Sequence, residues 1–180
     1  MFAKNSYIAV ENFIEKDDAK YLCNYLEDNS ICKGENDGLV SNSIAIYADP
    51  LFEKLLLENL EKVEKITNKV LVPSYSYARI YTNNAALLKH VDRPSCEYSV
   101  SLCLEKDEDW PLMFKTLDTS EHKGICLDAT DAFIYKGIDI VHWRNNYVGK
   151  KQIQAFFHYV EKDGLYSEWA FDKRKGLNIP

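Results

Sequence analysis

The chain reads as a mostly β protein with supporting helices at its N-terminal end (α+β), its strands closing into a double-stranded β-helix, or jelly roll. Three observations predict this. Apolar residues recur at helical spacing only in the first third, up to about Asn68. After Val70 the pattern changes to short runs rich in aromatic and branched residues, separated by turns of Asn, Asp, Gly or Pro. The composition, 12 Tyr, 8 Phe and 3 Trp against 7 Gly, suits pleated surfaces better than a helical bundle. Two helices followed by six or more strands then pack as helices against a closed or two-sheet β architecture.

The first helix is expected over Glu15 to Glu27, where Ala19, Leu22, Cys23 and Leu26 form one apolar stripe. Gly34, Asn36, Asp37 and Gly38 supply loop chemistry after it. A second helix begins at Asp49-Pro50, with Pro in the first turn, and Leu51, Leu55, Leu56, Leu60, Val63 and Ile66 give its apolar face. Strands are expected at Tyr75 to Tyr81, Tyr98 to Leu104, Pro111 to Phe114, Ala132 to Tyr135, Ile138 to Trp143 and Lys151 to Val160. The polar C-terminal stretch holds Tyr166, Trp169 and Phe171 and is expected to cover the barrel exterior or to serve as a partner-binding tail. The expected organisation is one domain over 1–180: helical support over 1–69, jelly-roll core over 70–160, and an extension over 161–180.

Bulk properties narrow the function. A net charge of −6 disfavours a broad nucleic-acid surface, although a local basic stripe is compatible with it. The five cysteines form no CxxC pair and leave an odd number, which fits reduced thiols better than disulfides or a structural zinc cluster. The N-terminus has no signal-peptide pattern. No run approaches the roughly 18 apolar residues of a membrane span. A cytoplasmic protein with no membrane partner is the expectation.

Chemistry begins at His90-Val91-Asp92, at the end of a strand. Ligand-type side chains two apart in extended chain share a face, so both can reach one ion. His142 lies in YKGIDIVHWR between Ile140, Val141 and Trp143, where a solvated histidine is not expected. Two histidines and a carboxylate make the facial triad that leaves open positions on Fe(II). His122 falls in the loop TSEHKG, and His158 is read on the outward phase of the last strand. On that strand Lys151, Ile153, Ala155, Phe157 and Tyr159 form the more apolar face, so Lys151 is read as starting the inward face. An inward lysine requires an anionic partner, and a dicarboxylate co-substrate would supply one.

These residues carry a specific resemblance. From about Tyr77 to Tyr159 the chain resembles the prolyl 4-hydroxylase-like branch of the 2-oxoglutarate/Fe(II)-dependent dioxygenases, through ARIYTNNAALLKHVDRP and DAFIYKGIDIVHWRNNYVGKK. The opening YIAVENFIEKDDAKYL also looks like the N-terminal strand and helix of these enzymes. YKGIDIVHWR and QAFFHYVEKDG look most like small bacterial and phage members of unassigned substrate. The resemblance implies Fe(II) on His90, Asp92 and His142, with 2-oxoglutarate and O₂ as co-substrates and ascorbate as a supporting reductant. It implies Lys151 on the far carboxylate of 2-oxoglutarate and Tyr81 in the co-substrate pocket. Arg144, on the same strand face as His142, is a rival for that carboxylate, because its guanidinium pairs bidentately.

The chain departs from the family in two places. EDWPLMF stands where a Gly-Gly turn is common, and Ile153 where many relatives carry a hydroxyl.

The implied reaction is hydroxylation of an unactivated C–H, with release of succinate and CO₂, on a prolyl residue or another amino acid or peptide. Tyr77, Arg79, Arg93 and Trp143 are candidates for the mouth. The acidic turn EKDEDW reads as a solvated loop, or as a feature steering a basic polypeptide. Two other readings stay open: a cupin-like metal-binding protein or isomerase without oxygenase activity, and a non-catalytic interaction module.

Overall fold

A computed structural model of the chain describes residues 2–30, 38–115 and 121–179. The linker expected around Gly34, Asn36 and Asp37 lies outside the described residues. The chain opens with one helical turn, α1 (Phe2–Asn5), a strand, β1 (Tyr7–Val10), and the long α2 (Lys16–Ser30). A strand not foreseen in the sequence, β2 (Ser43–Tyr47), precedes α3 (Pro50–Glu58) and α4 (Leu60–Thr67). The second expected helix is therefore two. Asp49 caps α3 by accepting from the Leu51 N–H, and Pro50 sits where no donor is needed. The break comes at Asn59, whose backbone and side-chain amides both donate to the Leu55 carbonyl, closing α3 before α4 begins. Asn68, in the left-handed region at φ 54°, ends α4.

The remaining strands are β3 (Leu71–Thr82), β4 (Leu87–His90), β5 (Tyr98–Lys106), β6 (Leu112–Lys115), β7 (Lys123–Ile125), β8 (Ala132–Tyr135), β9 (Val141–Arg144) and β10 (Lys151–Glu161). They form two antiparallel sheets, ordered β1-β8-β5-β10-β3-β2 and β4-β9-β6-β7. An isolated antiparallel bridge pairs Val40, just before β2, with Leu87 of β4. The expected jelly-roll class is the observed architecture. β9 starts later than expected, because 138–140 form a turn closed by Asp139 and Ile140 N–H bonds to the Lys136 carbonyl.

The larger sheet is buried on both faces. One face packs on the helices: Leu22, Leu26, Phe52, Leu56 and Val63 meet Ala78, Val100, Leu102, Ile153, Ala155 and Phe157 in one apolar cluster. The opposite face looks into the space between the sheets, where Phe114, Phe133, Tyr135 and Ile140 form a second cluster. Tyr81, Trp110 and Tyr147, with Phe156 packed against them, form a third.

This corrects the phase reading of β10. Its apolar row from Ile153 to Tyr159 faces the helices. The row facing the barrel interior is Gln152, Gln154, Phe156 and His158. Greasiness marked burial under helices, not direction toward the site. Lys151 accordingly lies with Glu27 of α2 and Glu105 of β5, its Nζ 2.6 and 2.8 Å from their carboxylates.

The acidic turn is structural as well. Asp107 accepts from Tyr147 Oη and from the backbone N–H of Lys150, and Asp109 pairs with Lys106. The C-terminal extension packs along β3 over Ser167–Lys173, a 3₁₀ turn that kinks out of helical geometry at Ala170, Phe171 and Asp172, with Arg174 pairing to the fully buried Glu53. The described cysteines, Cys23, Cys96, Cys103 and Cys126, are free thiols. No described helix is long and apolar enough to cross a membrane.

Candidate metal centre and its cavity

β4 and β9 are antiparallel neighbours with His90 directly opposite His142, and the two imidazole centroids lie 4.3 Å apart. Asp92 follows two residues beyond His90, its backbone N–H donating 2.9 Å to the Gly137 carbonyl. That bond folds the chain back, so that Asp92 Oδ1 sits 3.4 Å from His90 Nε2 and 3.5 Å from His142 Nε2. One donor atom from each of the three residues lies within 4.8 Å of the others.

The far side of each ring is anchored in the same way. His90 Nδ1 is 2.8 Å from the Leu88 carbonyl, and His142 Nδ1 is 3.0 Å from the Ile140 carbonyl. A carbonyl only accepts, so each Nδ1 carries a proton and each Nε2 is the ring nitrogen turned toward Asp92. Such outer hydrogen bonds orient metal-binding imidazoles. Burial lowers the His142 pKa, against the raising effect of Asp92. Burial alone would raise the Asp92 carboxyl, but the His90 hydrogen bond and the nearby His142 outweigh it and hold the group at about 2. Two imidazole nitrogens and a carboxylate oxygen are the donor set that suits Fe(II).

Gly137 is a spatial requirement. A Cβ there would fall far inside van der Waals contact with Asp92 Oδ2 and the Cys96 carbonyl.

The three side chains open on a cavity of about 490 Å³. Tyr81, Tyr77, Arg79 and Arg93, all singled out in the sequence, line it. Trp143 does not; it faces outward, edge-on to His122 and under Lys89 Nζ at 4.4 Å. Lys151 does not line the cavity either, being held by Glu27 and Glu105 on the helix side of β10. Their hydrogen bonds raise its pKa. Arg79 and Arg93 are the basic groups that line the cavity; Arg144, on the same face of β9 as His142, is buried in the barrel interior but is not itself among the lining residues. It is 4% exposed, its guanidinium lies 4.7 Å from the Trp110 ring centroid, and Nη1 donates to the Trp110 carbonyl. Burial lowers its pKa, and the groups opposing that effect are Tyr81, Cys103, Tyr135 and Cys126, none of them a carboxylate.

The sequence reading missed several interior residues. His158 is buried and lines the cavity, its ring tilted against Tyr75 with centroids 4.5 Å apart, and burial brings its pKa down to about 4. Ser99 Oγ donates to Asp92 Oδ2 at 2.9 Å. Among the described residues, fully buried Gln154 has no hydrogen-bond partner on either amide atom, and Gln152 has none on Oε1. The signal that could have found them is polar alternation: Ser99, Ser101 and Cys103 on β5, and Gln152, Gln154 and His158 on β10.

No protein-family model and no curated protein matches the chain by sequence. Solved structures do match in fold. A prolyl-4-hydroxylase from Pseudomonas putida superposes with a TM-score of 0.73 at 12% identity, over 89% of this chain and 95% of that one. HygX from Streptomyces hygroscopicus, with nickel and 2-oxoglutarate bound, gives 0.71 at 13% identity, over 90% and 85%. A viral collagen prolyl hydroxylase from Paramecium Bursaria Chlorella virus-1, in complex with 2-oxoglutarate, gives 0.65 at 14%, over 87% and 97%. The chain has the jelly-roll fold of the 2-oxoglutarate/Fe(II) dioxygenases.

Proposed function

We propose that the protein is an Fe(II)- and 2-oxoglutarate-dependent dioxygenase that hydroxylates an unactivated C–H of a prolyl residue or another amino acid or peptide. The observation that carries this reading is a pairing: three converging ligand side chains, and deeper in the same barrel a buried guanidinium with no carboxylate among its described partners. An uncompensated buried cation costs several kcal/mol, on the order of the penalty for any unpaired interior ion. A dicarboxylate whose far end reaches Arg144 relieves that penalty. A cupin-type protein without a co-substrate has no use for it.

His90, Asp92 and His142 hold the metal through Nε2, Oδ1 and Nε2. Arg144, two residues beyond His142 and so about 6.6 Å further along the strand, receives the far carboxylate. Tyr81 and Trp110, edge to face at 5.0 Å, wall this inner end. The unpartnered Gln154 amide offers a further donor, from a position on β10 opposite Cys103, whose thiol feels the Arg144 charge. When bound, iron and 2-oxoglutarate supply the oxidising power for C–H hydroxylation, with succinate and CO₂ as the co-products. The chain's own residues orient both ends of the co-substrate and keep water from the inner cavity. Tyr77, Arg79 and Arg93 at the mouth orient the target.

The prolyl or peptide assignment is supported by the two prolyl hydroxylases among the structural neighbours. It is tested by succinate release, with Fe(II), 2-oxoglutarate and O₂, across proline-containing peptides, free amino acids and nucleic acids. Stimulation by a peptide or amino acid, absent in Asp92→Ala, is the expected result. Stimulation by nucleic acid alone would overturn the substrate class, and no succinate in any condition would overturn the reaction.

A further inference from the structure

The hydroxyl of Ser99 carries one proton but has several polar neighbours, the Tyr135 hydroxyl among them. Its Oγ is 2.9 Å from Asp92 Oδ2 and 2.9 Å from His158 Nδ1, with the Cys96 carbonyl further off at 3.3 Å. Ionised Asp92 only accepts, and a charge-assisted bond outcompetes a longer one to a carbonyl. The Ser99 proton therefore goes to Asp92. The Oγ must then accept from His158, since two lone pairs facing each other at 2.9 Å would repel. His158 Nδ1 therefore carries a proton. The chain of donors runs in one direction, from His158 Nδ1–H to Ser99 Oγ–H to Asp92 Oδ2.

We propose that Ser99 and His158 are positioning residues that pin Asp92 Oδ2, so that the carboxylate offers Oδ1 alone to the metal. The proposal rests on the metal-centre reading above and assigns two residues that the ligand motif does not contain. The geometry around Asp92 supports it from three sides. Ser99 holds Oδ2 and the backbone of Gly137 closes against it. Oδ1 is the oxygen that faces both His90 and His142. A carboxylate free to turn could present both oxygens and take a coordination position needed by a chelating co-substrate.

Asp92, Cys96 and His158 also bring donor atoms within 4.8 Å of one another, which raises the question of a second ion site. The commitments of these atoms favour support instead. Oδ2 and Nδ1 are engaged by Ser99, and the Cys96 thiol lies 3.1 Å from Tyr75 Oη.

The test is anaerobic titration with Fe(II) alone and then with 2-oxoglutarate, read as metal affinity and as the position of the metal-to-ligand charge-transfer band. Ser99→Ala is expected to weaken Fe(II) binding by about ten- to a hundred-fold, the usual effect of losing an outer hydrogen bond, and to shift the band. His158→Leu should act in the same direction. His158→Asn, whose amide N–H can replace Nδ1–H, should return both readouts toward wild type, which a packing role alone would not produce. The double variant Ser99→Ala/His158→Leu should lose no more than the worse single variant, because both cut one chain. Wild-type affinity and an unshifted band in Ser99→Ala would overturn the proposal, as would additive losses in the double variant. If Ser99→Ala does not fold, identical behaviour of His158→Asn and His158→Leu overturns it. Wild-type protein that binds no Fe(II) would overturn the metal centre itself, and this inference with it.

Discussion

At the residue scale the account turns on which basic side chain meets the co-substrate. Lys151 and Arg144 were both legible as candidates, and their surroundings separate them. Lys151 is about one-third exposed and already satisfied by Glu27 and Glu105. Arg144 is buried against Trp110 with no carboxylate among its described partners. Lys151→Met should leave the 2-oxoglutarate requirement unchanged and cost less than about 1 kcal/mol, as expected for a partly solvated ion pair. Arg144→Leu should raise the 2-oxoglutarate concentration needed by at least about thirty-fold, the equivalent of losing a buried charge partner. Binding titrations on the two variants decide between them. Gly137 carries a second prediction at this scale. Gly137→Ala forces a methyl into Asp92 Oδ2 and the Cys96 carbonyl, so it should cost about 1–3 kcal/mol of stability and weaken metal binding. A variant with wild-type melting and wild-type metal affinity would refute that close approach.

At the scale of elements, the C-terminal extension is held to the rim of the cavity by one acid. Asp172 accepts both Arg93 guanidinium bonds at 2.8 Å and a bond from Tyr47 Oη, and Arg93 and Tyr47 both line the cavity. The segment carries three consecutive left-handed residues, Phe171, Asp172 and Lys173, at φ 53°, 53° and 61°. Outside glycine such a conformation is disfavoured by about 1–2 kcal/mol per residue, so the side-chain contacts must hold it. Burial raises the Asp172 pKa, but the Arg93 and Tyr47 hydrogen bonds outweigh it, and the net direction is down. A carboxylate with a lowered folded pKa stabilises the fold fully above its unfolded value, about 3.9 for Asp. That contribution is lost as the pH falls through the lowered value. Asp172→Asn should therefore cost about 1–2 kcal/mol at neutral pH, and the gap to wild type should shrink only below about pH 4. Equal stability of the two proteins at neutral pH would show that the strap is not held by this pair.

At the scale of the whole molecule, the convergence of His90, Asp92 and His142 and the jelly roll were legible because their signals are local. A His and an Asp two apart need only extended chain to share a face, and the change from helical to alternating period marks where the sheets begin. Direction across a sheet was not legible. The helix-facing row of β10 is more apolar than its interior row, which carries Gln152, Gln154 and His158. Reading the greasier face as inward therefore inverted Lys151 and His158 together. The polar partners Ser99, Gln154 and His158 acquire meaning only when β5, β3 and β10 are paired in register. β2 was missed because Ser43–Tyr47 is short, and its role as the edge beside β3 comes from pairing across a long stretch of chain.

The most direct test of the central claim is the anaerobic absorption spectrum on adding Fe(II) and then 2-oxoglutarate to the wild-type protein, Asp92→Ala and Arg144→Leu. The account predicts a visible charge-transfer band in the wild type, none in Asp92→Ala, and a band in Arg144→Leu only at much higher 2-oxoglutarate. A wild-type protein that develops no band, or an Asp92→Ala variant that develops the same one, would contradict it.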